Sequence, residues 1–321
     1  MSDRVLWAGI DEAGYGPKLG PLVVAGACFE LPCPPEEGIL WSRLKEAVAK
    51  KRRGAGDRLL VDDSKEVYNT SGGYRRLEEG VLSFLEAAGG KPDRGGDLVD
   101  ALAPARHCEG EPWFHGAAGL ELPFASNRSA VTSSVSALQR TLESSGVRVR
   151  GLWACVVLPR EFNRLVQKMG NKSLLLFHKA GLIMRAIWDG SGVDGFLLVD
   201  RHGGRTHYRR LLRDVYPELS CDVLAESAER SVYGIGGPRG RLKVAFKKDG
   251  DSLALPTALA SMTAKYVREL YMEAFNCYWQ ERLEGLKPTA GYGQDAYRFL
   301  DDIEDVLKAE DIDRDRLVRC R

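Results

Sequence analysis

Four carboxylates stand where strands should stop. Asp11 and Glu12 follow the apolar run of residues 5–10, Asp200 closes Gly195-Phe196-Leu197-Leu198-Val199-Asp200, and Asp251 sits in Lys247-Lys248-Asp249-Gly250-Asp251-Ser252 ahead of a long helical pattern. Open α/β sheets form their ligand crevices beyond the carboxyl ends of the strands, so acids placed there are candidates for one shared site. Converging carboxylates raise one another's pKa, and a hard divalent cation is their natural counter-charge. Ligands that are all oxygen favour Mg²⁺ or Mn²⁺. Two such ions about 3.5–4 Å apart can hold both the attacking water and the leaving oxygen of a phosphodiester, so the expected chemistry is phosphoryl hydrolysis. Singly, each Asp could equally be a helix cap or a turn former. Recurrence on separate segments is what points to chemistry.

Positioning these acids requires strands that end together. Residues 5–10 and 22–29 are short, apolar and bounded by Gly and Pro, which predicts a hairpin joined by the glycine-rich segment 14–20. That segment matches neither G-x-x-x-x-G-K-[ST] nor G-x-G-x-x-G, so a nucleotide-binding loop is not expected. Helical spacing is expected over 40–49, 74–88, 130–144, 173–188, 253–279 and 296–309, with a basic helix over 205–215; strands are expected over 147–158, 195–200 and within 220–248. Pro256 is compatible with the 253–279 helix only in its first turn. Residues 90–124 show little pattern.

In this order the motifs resemble the type 2 ribonuclease H family, the ribonucleases HII and HIII. Gly9-Ile10-Asp11-Glu12-Ala13-Gly14-Tyr15-Gly16-Pro17 with Gly20-Pro21 resembles the family's opening motif, Asp63-Ser64-Lys65 its D-S-K, and Leu198-Val199-Asp200 the end of its third strand. Gly250-Asp251-Ser252 followed by Ala260-Ser261-Met262-Thr263-Ala264-Lys265-Tyr266-Val267-Arg268 resembles its late motif, and Gly291-Tyr292-Gly293 its G-Y-G. Tyr15 stands where ribonuclease HII usually has Arg, and Arg201-His202 replace the residues that usually follow the third acid. Phe162-Asn163, Asn171-Lys172 and Tyr208 look more like ribonuclease HIII.

The resemblance implies an α/β fold, a ribonuclease H-like mixed sheet flanked by helices, with insertions and a helical C-terminal part. It divides the chain into core over 1–89, an insertion over 90–150, core again over 151–272 with an insertion at about 203–245, and a helical part over 273–321. It implies metal-dependent endonucleolytic hydrolysis of the RNA strand in an RNA/DNA hybrid or a ribonucleotide-containing duplex. Asp11, Glu12, Asp200 and Asp251 would be the catalytic, metal-binding acids, with two ions, Mg²⁺ or Mn²⁺. Backbone amides around Gly14, Tyr15 and Gly16 would contact the 2′-hydroxyl that distinguishes RNA from DNA. Lys65 and Lys265 would lie near the phosphate backbone or brace the acids, and Tyr292 would stack near a ribose. His202 has two readings, a proton shuttle or a structural ring. Arg201, Arg205, Arg209 and Arg210 form either a solvated basic face or a phosphate-contacting one.

Composition bounds the rest. The 321 residues carry 46 basic and 45 acidic side chains, a formal net charge of +1, so a nucleic-acid partner has to be met by local clustering. Seven cysteines are scattered, odd in number and never spaced as C-x-x-C, which argues against a disulfide framework or zinc site and for a reducing compartment. No stretch approaches the ~20 apolar residues of a membrane span, so a cytoplasmic protein is expected. An actin-like ATPase or sugar kinase would need a second glycine-rich phosphate loop, which is missing. A non-catalytic hybrid-binding protein and a nuclease acting on another nucleic acid remain open at this level.

Overall fold

A computed structural model describes residues 4–70, 72–104, 110–189, 192–237 and 240–320, with the side chain of Asp251 outside that description. Its strands are β1 (Val5–Ala13), β2 (Leu22–Leu31), β3 (Val48–Ala49), β4 (Leu59–Leu60), β5 (Arg148–Val157), β6 (Gly195–Asp200), β7 (Ser220–Glu226), β8 (Arg230–Gly237) and β9 (Gly240–Lys247). The helices are α1 (Ile39–Arg43), α2 (Ser64–Tyr68), α3 (Gly73–Ala87), α4 (Gly95–Leu102), α5 (Pro112–Gly119) and α6 (Arg128–Ser145). They continue with α7 (Pro159–Met169), α8 (Lys172–Ile187), α9 (Arg209–Val215), α10 (Leu255–Gln280), α11 (Gly293–Asp302) and α12 (Glu304–Ala309).

Seven strands form one mixed sheet in the order β5-β2-β1-β6-β9-β8-β7. β1 and β2 are the expected antiparallel hairpin, while β1, β6 and β9 run parallel. Period-2 alternation sorts β1 onto two cores. Leu6, Ala8 and Ile10 face α7, α8 and α9, and Trp7 faces the layer of α3, α6 and α10. Gly9 lets α10 lie directly on the sheet, because a Cβ there would come within 2.2 Å of the Thr257 backbone nitrogen. Pro256 sits in the first turn of that helix, where it removes no needed donor. A third apolar cluster joins the second half of α10 to α5, α11 and α12, and α10 runs past residue 273 without a break.

Three local expectations need correction. Residues 40–49 are not one helix: α1 stops at Arg43, and Val48 and Ala49 pair with Leu59 and Leu60 in a small parallel sheet that buries them. The weakly patterned stretch 90–124 holds α4 and α5, whose Leu98, Leu102, Trp113 and Phe114 are buried; tertiary packing outweighs the poor helix propensity of their glycines. The last helical pattern is two helices, α11 and α12, separated at Ile303.

Candidate metal and nucleic-acid site

The acids of β1 and β6 meet because their strands are parallel neighbours. Ile10 is paired with Val199, so Asp11 and Asp200 are the next residues on adjacent strands, both in phase with the face that carries α10. Carboxylate oxygens of Asp11, Glu12 and Asp200 all lie within 4.8 Å of one another. Asp11 is buried, with Oδ1 accepting from the Glu12 amide at 2.7 Å. Asp200 Oδ1 accepts from the Gly250 amide at 3.3 Å, which ties the short 3-10 turn Gly250–Ser252 to the end of β6. Burial pushes the Asp200 carboxyl above its ordinary range, helped by the charge of Asp249 and opposed by the amides of Gly250, Arg201 and Asp249. Three crowded oxygen donors, one of them disfavoured as an anion, fit a hard divalent cation. Asp251, the fourth expected ligand, belongs to that 3-10 turn, but its side chain lies outside the described residues.

Beside the acids, the glycine-rich segment 14–20 is held by a buried arginine. Arg268 on α10, fully inaccessible, donates to the carbonyls of Leu19 at 3.4 Å and Ala290 at 2.9 Å, and its guanidinium lies 5.1 Å from the centre of the Tyr292 ring. Gly291 receives the amides of Lys18 and Leu19 at 2.9 and 3.3 Å, so the Gly291-Tyr292-Gly293 motif is stitched to the same segment. From the far end of the chain, the Arg319 amide donates to the Lys18 carbonyl at 2.9 Å and its side chain donates to that of Pro17. Asn163 holds the same tail by bonding the carbonyls of Asp315 and Val318 and the amide of Cys320. Arg319 carried no sequence signal, because its partners are backbone atoms some 302 positions away.

The expected substrate-contacting residues fall into two groups. Gly14 has φ +82°, and a Cβ there would meet the Pro21 carbonyl at 2.4 Å, so its glycine is an internal requirement. Gly16 is different: a Cβ would meet nothing within 4 Å, and the bare backbone faces open space. Tyr15 is half-buried with the Lys172 ammonium 4.6 Å from its ring centre, and Tyr292 is exposed. Lys65 is exposed in the first turn of α2, with its amide capped by Asp63. Lys265 is committed elsewhere: its ammonium pairs with Glu269 at 2.6 Å and lies 4.4 Å from the Tyr68 ring centre.

His202 resolves to the structural reading. It is 2 % exposed, ringed by Phe177, Tyr208 and Phe246, and burial with the nearby Arg205 charge pushes its pKa down to about 3. An imidazole that refuses a proton until so low a pH is a poor shuttle near neutrality.

Comparison with known proteins adds a likeness in fold. No family model matches the sequence, and no curated protein matches it. Among solved structures, the ribonuclease HII of Archaeoglobus fulgidus, determined in complex with PCNA, is 18 % identical over 99 % of this chain and 95 % of that one, with TM-score 0.46. Other solved structures similar to this chain are also ribonucleases H of types 2 and 3. They include the ribonuclease H2 of Pyrococcus horikoshii OT3, 14 % identical over 97 % of this chain and 92 % of that one, with TM-score 0.47. Bst-RNase HIII is 15 % identical over 98 % of this chain and 66 % of that one, with TM-score 0.45, and has also been solved with Mn²⁺. At such identities an activity does not follow from the likeness; it has to come from the site.

Proposed function

We propose that this protein is a metal-dependent endonuclease that hydrolyses the RNA strand of RNA/DNA hybrids. The observation that carries the reading is the convergence of Asp11, Glu12 and Asp200 within 4.8 Å at the ends of two parallel strands. The ordered motifs that resemble the type 2 ribonuclease H family support it, since that resemblance would set the same acids at the family's metal-binding positions. Asp251 completes the proposed ligand set. Bound divalent ions, Mg²⁺ or Mn²⁺, would supply Lewis acidity toward the phosphodiester and lower the pKa of a water. The protein's own part is to hold the acids in register, to keep Asp200 partly desolvated, and to present bare backbone at Gly16 to the sugar-phosphate chain.

In this reading Tyr15 and Gly16 form the ribose-facing wall, with Gly14 shaping the turn behind them, Tyr292 stacks at the cut, and Lys65 approaches the phosphate backbone. Lys265 acts through Glu269 and the Arg268 network rather than on the acids. No helix among the described residues is long and apolar enough to cross a membrane. The six described cysteines are free thiols, which fits the cytoplasm.

The test is purified protein with Mg²⁺ or Mn²⁺ against a uniform hybrid, a duplex bearing a single ribonucleotide, and plain DNA. Cleavage of a ribonucleotide-containing substrate, abolished by Asp11→Asn and Asp200→Asn, is the expected result. Cleavage of plain DNA alone would shift the reading to a nuclease of another specificity. Binding of hybrid without cleavage under either metal would leave a hybrid-binding protein.

A further inference from the structure

Next to the acids, on the other side of Tyr15, lies an open cleft of about 670 Å³ whose lining contains no carboxylate. Lys172, Ser173 and Arg205 contribute to it, together with the Gly203-Gly204 backbone that follows β6. In a chain of net charge +1, with acids and bases nearly equal in number, an unneutralised basic concavity is a local construction. Among the described residues neither Lys172 nor Arg205 makes an ion pair with a carboxylate. Arg205 Nη2 donates to Ser173 Oγ at 3.2 Å, and its Nε is buried with no hydrogen-bond partner. Lys172 is the first residue of the 16-residue helix α8, whose first turn lines the cleft with its Ser173 amide capped by Asn171 Oδ1 at 2.7 Å. A Cβ at Gly203 or Gly204 would meet nothing within 4 Å, so this wall is bare backbone facing outward. His207 at the rim is exposed and lies 3.5 Å from Glu226.

Tyr15 connects the cleft to the acids. Burial raises its hydroxyl pKa, Glu12 raises it further and Arg205 opposes them, so the ring senses both the acidic centre and the basic cleft. A polyanion crossing the acids past Tyr15 would pass from a region that needs cations to one that supplies them.

We propose that the cleft between Lys172 and Arg205 is a second phosphate-binding site, taking a phosphate of the nucleic-acid strand that leads away from the acidic centre past Tyr15. The site rests on the nucleic-acid reading above and extends it. Arg205 and the Gly203-Gly204 backbone follow the departure from the family motif at Arg201-His202, whereas Lys172 comes from the stretch that resembles ribonuclease HIII, so the pairing of the two across the cleft combines both.

The experiment measures binding of a fluorescently labelled RNA/DNA hybrid in EDTA, where metal-dependent cleavage is suppressed, across a salt series. Wild type is compared with Lys172→Gln, Arg205→Gln, the double variant, and Arg140→Ala on α6, which packs on the opposite face of the sheet. Losing one phosphate contact lowers the slope of log K against log salt by about 1. The double variant is expected to show that loss, with Kd raised several-fold at low salt, while Arg140→Ala matches wild type. Methylphosphonate substitution along one strand, and removal of a 5′-phosphate, distinguish an internal phosphate from a terminal one; only the phosphate in the cleft is silent in the double variant. A measurement free of folding effects is acetylation of Lys172 in the wild-type protein by an N-hydroxysuccinimide ester, read by mass spectrometry, which hybrid should suppress. Equal slopes in all proteins, or Lys172 labelling unchanged by saturating hybrid, overturns the site while leaving the nuclease reading standing. Failure of wild type to bind hybrid, duplex DNA or single strands overturns both.

Discussion

Ser261 on α10 donates a hydrogen bond to Ser64, the first residue of α2, at 3.0 Å, and both are buried. The bond joins the Asp63-Ser64-Lys65 motif to the helix whose Thr257 lies against Gly9, so two motifs nearly 200 positions apart share one rigid support beside the acids. A buried hydroxyl stripped of its partner costs about 1–3 kcal/mol. Ser64→Ala and Ser261→Ala should each lose stability in that range, and the double variant should lose clearly less than their sum. Urea denaturation of the four proteins measures this coupling; strict additivity would refute it.

The acid cluster makes a two-part prediction in metal-free buffer and with added ion. Because the Asp200 carboxyl is raised in the folded protein, its ionised form is disfavoured there at neutral pH, and Asp200→Asn should raise the melting temperature in EDTA. Added Mg²⁺ or Mn²⁺ at about 100 times Kd should stabilise wild type by about 2.7 kcal/mol. Asp200→Asn and Asp11→Asn should lose most of that gain together with activity. A calorimetric scan of each protein with and without ion separates the two effects.

Gly16 and Gly9 should answer differently to alanine. Gly16→Ala places a methyl in open space and should leave stability within about 0.5 kcal/mol of wild type. It should weaken hybrid binding by roughly tenfold, equivalent to about 1.4 kcal/mol, because the methyl occupies the proposed path of the backbone. Gly9→Ala forces a methyl to 2.2 Å from Thr257 and should destabilise by about 1–3 kcal/mol or more. Thermal denaturation and anisotropy on the same two variants report both numbers.

His202 gives the pH dependence a sign. Its folded pKa is about 3 against an ordinary value near 6.5, so between those limits the unfolded chain binds the extra proton. The stability it supports is complete above pH 6.5 and is lost as pH falls toward 3, by at most about 1.4 kcal/mol per pH unit. His202→Phe, which keeps an aromatic ring among Phe177, Tyr208 and Phe246, should flatten the stability profile across that window. Denaturant midpoints at a series of pH values provide the check.

Where sequence reading succeeded, local and global signals agreed. The β6 strand is a run of apolar residues between a glycine and an acid, and it pairs as such on both sides. The β1 strand continues to Ala13, past its apolar run, because Val23 and Val24 of β2 pair with Ala13 and Glu12 and carry polar residues in strand geometry. Chain pattern could show that Asp11 and Asp200 end strands; only the parallel register shows that they end side by side. Arg319 and the acid-free lining around Arg205 were illegible for the opposite reason, since both are defined by partners distant in sequence.

The bond from Arg319 to Pro17 spans 302 positions and closes the segment that flanks the acids. At about 5–20 residues per second, a ribosome makes residue 319 roughly 15–60 s after residue 17. Throughout that interval Asp11 and Glu12 already exist, but the tail that holds their neighbouring loop does not. The loop beside the acids is therefore closed by a contact between two residues translated far apart in time, so it cannot take its final form while the N-terminal strands are first emerging.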